Sequence, residues 1–101
     1  MAEKEQKNQE MQILEQNVQS LMFQKQAFQM ELSETQAAMK EMANSEEVYK
    51  IVGQLMVKSD AKKIKEELES KEKLLDLRIK SLDKQESEFL EKLEELKKEV
   101  L

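Results

Sequence analysis

The sequence contains no cysteine, no histidine and no proline, and it has a single glycine among its 101 residues. Without cysteine the chain can form neither disulfides nor thiolate metal sites. The lack of histidine removes the commonest general base and metal ligand, and one glycine cannot build a glycine-rich phosphate loop. The sequence therefore predicts a protein that is not an enzyme and that binds no metal and no cofactor.

Long hydrophobic runs are also missing, and the charge is mildly acidic. No apolar stretch approaches the length of a membrane span, and the polar start of the chain does not resemble a secretion signal. The chain has 22 acidic and 17 basic residues, a net charge of -5, which repels phosphate backbones and anionic lipids. We expect a cytoplasmic protein that binds neither nucleic acid nor membranes.

What the chain does contain is charge and heptad periodicity. Charged residues make up 39% of the sequence and aromatic residues only 4%, a composition typical of coiled coils. In the first half, steps of three and four residues connect Met11, Leu14, Val18, Leu21, Lys25, Phe28, Leu32, Thr35, Met39 and Met42. In the second half, a and d positions are Leu68, Glu72, Leu75, Ile79, Leu82, Glu86, Phe89, Leu93, Leu96 and Val100, with Ala61 and Ile64 continuing the apolar stripe. These patterns predict two coiled-coil helices.

The segment between the two heptad regions has the composition of β-strands and contains the only glycine. Gly53-Gln54 fits a type II′ turn, which would place Val52 opposite Leu55. Apolar side chains then lie on both faces of the hairpin, and a lone two-stranded hairpin is marginally stable in water. We expect it to be completed by strands of other subunits through Val48, Tyr49, Ile51, Val52, Leu55, Met56 and Val57.

The short connection forces the two helices to pair antiparallel. The sequence thus predicts one mainly α domain over residues 1–101, with helix 1 at about 4–43, a β-hairpin at 47–58 and helix 2 at 60–100. Polar residues at seam positions, such as Lys25 and Glu86, are expected to fix the register. The predicted register places Met11 near Leu93.

Apolar residues also occur at the ends of both helices, farthest along the chain from the hairpin. Because the last turns of a two-stranded coiled coil open transiently, their apolar groups become accessible. The candidate contacts for a bound polypeptide are Met11, Ile13, Leu14, Leu90, Leu93, Leu96, Val100 and Leu101.

The central segment resembles a known family. A helix is followed by Val48-Tyr49-Lys50-Ile51-Val52-Gly53, by the strand Leu55-Met56-Val57-Lys58 and by a second helix, and this order is similar to that of β-type prefoldin subunits over essentially the whole chain. The α type carries two hairpins. The Glu- and Lys-rich second helix resembles archaeal members more than eukaryotic ones.

The resemblance implies an ATP-independent holdase, a chaperone that holds non-native proteins. It implies a hetero-hexamer of two α-type and four β-type subunits, whose hairpins form a double β-barrel. Clients would be held at the coiled-coil tips and delivered to a group II chaperonin.

A second hypothesis is a structural coiled-coil adaptor or scaffold that binds one defined partner. Such a protein would need a continuous second apolar stripe, and only fragments of one are present, at Leu74, Leu77 and Leu90. Protection of several unrelated denatured proteins would favour the chaperone, and binding of a single partner would favour the adaptor.

Overall fold

The computed structural model describes residues 2–100. Helix α1 spans Ala2–Met42, strand β1 spans Val48–Val52, strand β2 spans Leu55–Ser59 and helix α2 spans Ala61–Val100. The predicted order of helix, β-hairpin and helix is confirmed. The chain divides into two compact units. The terminal unit comprises the residues up to Phe28 and from Arg78 onward, and the hairpin unit comprises Gln29–Leu77.

Helix α1 is rich in good helix formers and has no proline, so its backbone hydrogen bonds are uninterrupted. Glu3 and Glu5 in the first turn and Lys40 in the last turn interact favourably with the partial charges of the helix dipole, because their charges have the opposite sign. The helix ends before Asn44 and Ser45. The Glu41 carbonyl oxygen, near the end of the helix, accepts both the Asn44 N–H at 3.2 Å and the Ser45 hydroxyl at 3.1 Å.

Helix α2 begins with a side-chain cap. The capping residue is Asp60. Its Oδ1 accepts the backbone N–H of Lys62 at 3.2 Å, and its carbonyl oxygen accepts the N–H of Ile64 at 3.0 Å. At the other end, Lys97 and Lys98 complement the negative end of the helix dipole.

In the terminal unit, the heptad leucines form the seam between the two helix segments. Leu14, Leu93 and Leu96 make a buried cluster against which Met11, Val18 and Phe89 pack. Leu21 and Leu82 are also buried, and the Arg78 guanidinium lies 5.6 Å from the centre of the Phe28 ring. The heptad assignment is confirmed, because the predicted a and d positions are buried or half-buried here, and Met11 packs against the cluster that contains Leu93.

In the hairpin unit, the seam continues with one buried polar residue. Leu75 is 2% exposed and Thr35 is 4% exposed. The Thr35 hydroxyl donates to the carbonyl oxygen of Glu31 in its own helix at 2.8 Å, so its burial leaves no unpaired donor. Ile64 is half-buried, and Ala61, although exposed at the first turn of α2, lines an open recess together with Met39 and Met42.

A polar layer interrupts the apolar seam of the terminal unit. The Lys25 ammonium lies 2.9 Å from Asp83 Oδ1 and 3.1 Å from Glu86 Oε2. The side chains of Lys25 and Glu86 are each only 21% exposed. Hydrogen bonds to Asp83 and then Glu86 raise the pKa of Lys25 above its ordinary value of 10.5. The pairing therefore stabilises the fold fully below that value, and this stabilisation is lost as the pH rises through the raised pKa.

We expect Lys25→Glu to lower the thermal midpoint by several degrees, because it brings three carboxylates together in the seam. Adding Glu86→Lys restores an opposite-charge pair and should recover much of the loss. Circular dichroism melts of the two single variants and the double variant form a double-mutant cycle. A double variant that melts no higher than the less stable single variant would show that the pair does not act as a unit.

Candidate functional site

The hairpin has the register that the sequence predicts. Strands β1 and β2 pair antiparallel, with Val52 opposite Leu55, Ile51 opposite Met56 and Lys50 opposite Val57. Gly53 has a φ of 63° and is the one described residue with a positive φ. A positive φ at the first central position alone is the signature of a type II′ turn. Glycine is required there, since a side chain would strain this backbone conformation.

Both faces of the hairpin are apolar and exposed. Val48, Val52, Leu55 and Val57 lie on one face, and Tyr49, Ile51 and Met56 lie on the other. Ile51, Leu55 and Met56 are each about 70% exposed. Within residues 2–100 the sheet has only these two strands, so each strand keeps one edge whose N–H and C=O groups are free to pair. Exposed apolar faces next to open edges favour strand addition.

Two residues of β1 make polar contacts within the hairpin unit. The Tyr49 hydroxyl donates to Glu47 Oε2 at 2.8 Å, and this bond, followed by desolvation, raises the pKa of Tyr49. Lys50 pairs with Glu67 at 3.5 Å. Beside β1 lies an open recess of about 580 Å³, whose apolar lining includes Met42 and Leu68. Much of the apolar surface of the strand pair stays uncovered.

The candidate contacts at the helix ends fall into three groups. Leu14, Leu93 and Leu96 form the buried cluster of the terminal unit. Met11 and Val100 are half-buried, whereas Ile13 is 57% exposed and Leu90 is 47% exposed. Leu101 lies outside the described residues.

Sequence reasoning missed one exposed aromatic residue. Phe23 is 66% exposed on α1, and its neighbour Met22 is 45% exposed. The heptad pattern could have predicted this exposure, because Phe23 lies on the side of α1 opposite the a and d positions. Aromatic residues are uncommon in this chain, and one placed away from both the seam and the hairpin is a surface feature.

Two structural features bear on other classes of function. Across residues 2–100, acidic side chains do not come together in any cluster of three that could hold a metal ion. Neither α1 nor α2, as far as they are described, is apolar enough over sufficient length to cross a membrane.

Comparison with known proteins identifies the family. Residues 5–100 match the family model described as "Prefoldin subunit". The chain belongs to the prefoldin family. Prefoldin subunit beta of Thermococcus onnurineus is 40% identical over 89 residues, which cover 85% of this chain and 77% of the relative. Prefoldin subunit beta of Methanothrix thermoacetophila is 36% identical over 94 residues, 90% of this chain and 78% of the relative.

The solved prefoldin beta subunit from Thermococcus strain KS-1 has the same fold. It superimposes with a TM-score of 0.91 at 32% identity, and the match covers 99% of this chain and 90% of that one. The resemblance to β-type prefoldin subunits is therefore confirmed. Membership of the prefoldin family implies a chaperone role, and family members are chaperones rather than enzymes.

For this prefoldin subunit we expect the double variant Val52→Asp, Leu55→Asp to lose assembly while its helices stay folded. Burying two unpaired carboxylates between strands costs several kcal/mol. Light scattering gives the particle mass, and circular dichroism gives the helix content. The matched control, Asn44→Asp with Gln54→Asp, adds the same charge outside the two strands and should assemble normally. An unchanged particle for the strand variant would contradict the assembly role of the hairpin.

Proposed function

We propose that this chain is the β-type subunit of an ATP-independent holdase composed of two α-type and four β-type subunits. The observation that carries the proposal is the hairpin, which has two apolar faces and two open edges. In the chain alone both faces keep exposed apolar residues, for example Leu55 on one face and Ile51 on the other. Strands from neighbouring subunits would cover these apolar residues and pair with the edges, forming a β-barrel.

The ends of the two helices would hold non-native clients. Ile13 and Leu90 are exposed in the folded terminal unit and would make the first contacts. The cluster of Leu14, Leu93 and Leu96 would become available as the last turns open, together with Met11, Val100 and Leu101. Apolar contacts of this kind are non-directional, which suits a chaperone that accepts many sequences.

Binding at each tip would be weak, and several tips would act together. At about 25 cal/mol per Å², a contact of a few hundred Å² contributes only several kcal/mol before ordering costs are subtracted. Tips joined in one assembly raise one another's effective concentration around a client. A weakly held client can also be released, as delivery to a group II chaperonin in the cytoplasm requires.

The adaptor hypothesis has less support. It needs a continuous second apolar stripe along a helix, and the exposed leucines of α2, Leu74, Leu77 and Leu90, are separated by charged residues. A defined partner helix would leave these gaps unfilled. The chaperone is therefore the function that the surface supports best.

Client capture is tested by replacing the two exposed residues at the helix ends. We expect Ile13→Ser with Leu90→Ser to reduce protection of a denatured client from aggregation, since about 1–3 kcal/mol of apolar contact is lost per tip. The buried seam is untouched, so particle mass and melting temperature should not change. Turbidity of a denatured client measures protection.

The matched control is Leu74→Ser with Leu77→Ser. These residues are 48% and 65% exposed, close to the 47% of Leu90 and the 57% of Ile13, but they lie in the hairpin unit. The control should protect the client as well as the unaltered chain. Equal protection by both double variants would refute binding at the helix ends.

A further inference from the structure

The two helices of the terminal unit present very different surfaces to solvent. On α2, the positions opposite the seam carry charges of both signs, for example Lys84, Glu91 and Lys98. On α1, the corresponding outward positions between residues 16 and 27 are all exposed and uncharged. They are Gln16, Gln19, Ser20, Phe23, Gln26 and Ala27, and we call this surface the Phe23 face.

Between residues 16 and 27 the only charged residue is Lys25. Lys25 is turned into the seam, where it pairs with Asp83 and Glu86. A single exposed phenylalanine is ordinary on a protein surface, but a face free of charge is unusual in a chain that is 39% charged. Depletion of charge around an aromatic residue and a methionine is the composition of an interface core.

The size of the apolar surface excludes a folded partner. Phe23 and Met22 are 66% and 45% exposed and together present roughly 200 Å² of side-chain surface. A stable complex between folded proteins buries about 800 Å² on each partner, so a second copy of this chain would be held too weakly. The Phe23 face also has no lysine or arginine, so it is not suited to bind the phosphate groups of nucleic acids or lipids.

The chemistry of the face fits an unfolded polypeptide. Each glutamine side chain carries an amide with two donor hydrogens and an acceptor oxygen. These groups complement the backbone N–H and C=O groups that a non-native chain leaves unpaired. Phe23 supplies a flat apolar surface for its side chains, and an uncharged face repels neither acidic nor basic segments.

We propose that the Phe23 face is a second contact zone for non-native polypeptides, separate from the residues at the helix ends. The proposal rests on the holdase function and extends it along α1. The bound species is an extended polypeptide segment with apolar side chains, which contacts Phe23 while glutamines on either side meet its backbone.

Photocrosslinking tests the contact directly in the full chain assembled with an α-type subunit. A benzoylphenylalanine probe is introduced at Phe23 and, as the control, at Lys84 on the charged face of α2. With chemically denatured client added, the yield of client crosslinks should be several-fold higher from position 23. Equal yields, or crosslinks from position 23 only to another copy of this chain, would overturn the proposal.

Function is tested by two variants that leave the seam intact. Phe23→Ser removes the apolar contact, and Gln19→Glu with Gln26→Lys restores charge to the face without changing the net charge. Both should lower client protection. The controls are Leu77→Ser, equally exposed at 65%, and Ser81→Glu with Ser87→Lys on α2, and both should protect normally.

The outcomes separate this proposal from the holdase function itself. If the unaltered assembly fails to protect clients, the holdase function is refuted and the contact zone with it. If the unaltered assembly protects and the Phe23-face variants protect equally well, only the contact zone is refuted. Retained protection by these variants together with loss in the Ile13, Leu90 variant would confine capture to the helix ends.

Discussion

The structure depends on a β-hairpin that the chain cannot bury by itself. Two strands of five residues expose Ile51, Leu55 and Met56 at about 70% each, and every open edge carries unpaired backbone groups. Isolated hairpins of this size are marginally stable. The type II′ turn at Gly53 and the antiparallel pairing of β1 with β2 set the register of the strands. We therefore propose that strands from other subunits stabilise the hairpin.

The two helices pair through the seam, and their outer surfaces remain available for contacts with other molecules. In the terminal unit the leucine cluster around Leu93 supplies apolar packing, and Lys25 with Glu86 supplies a polar layer. Replacing such a layer with apolar residues often increases stability, so its presence points to selection for a specific pairing of the helices. A two-helix seam buries little surface, and it leaves residues such as Ile13 and Phe23 exposed for other contacts.

Much of the fold could be predicted from the sequence because its signals are periodic. Heptads located the seam, and the single glycine located the turn and fixed the pairing of Val52 with Leu55. The cap at Asp60 and the exposure of Ala61 beside it depend on local geometry that the heptads do not describe. The heptads implied that Leu93 and Leu96 are buried, but how often the helix ends open is a matter of dynamics that no residue pattern encodes. The exposure of Phe23 was not predicted, because the heptad pattern was used only to find the a and d positions and Phe23 lies on the opposite side of α1.

The central claim is that strands of other subunits complete the hairpin. Hydrogen exchange of the backbone amides, read by mass spectrometry, tests it on the chain alone and after mixing with an α-type prefoldin subunit. In the chain alone, the backbone amides of Val48–Val52 and Leu55–Ser59 that point away from the other strand should exchange rapidly. Pairing of the two strands protects only the amides that point toward the other strand. On mixing, these strands should gain protection while the terminal unit changes little. Formation of the larger particle with no added protection of either strand would contradict the account.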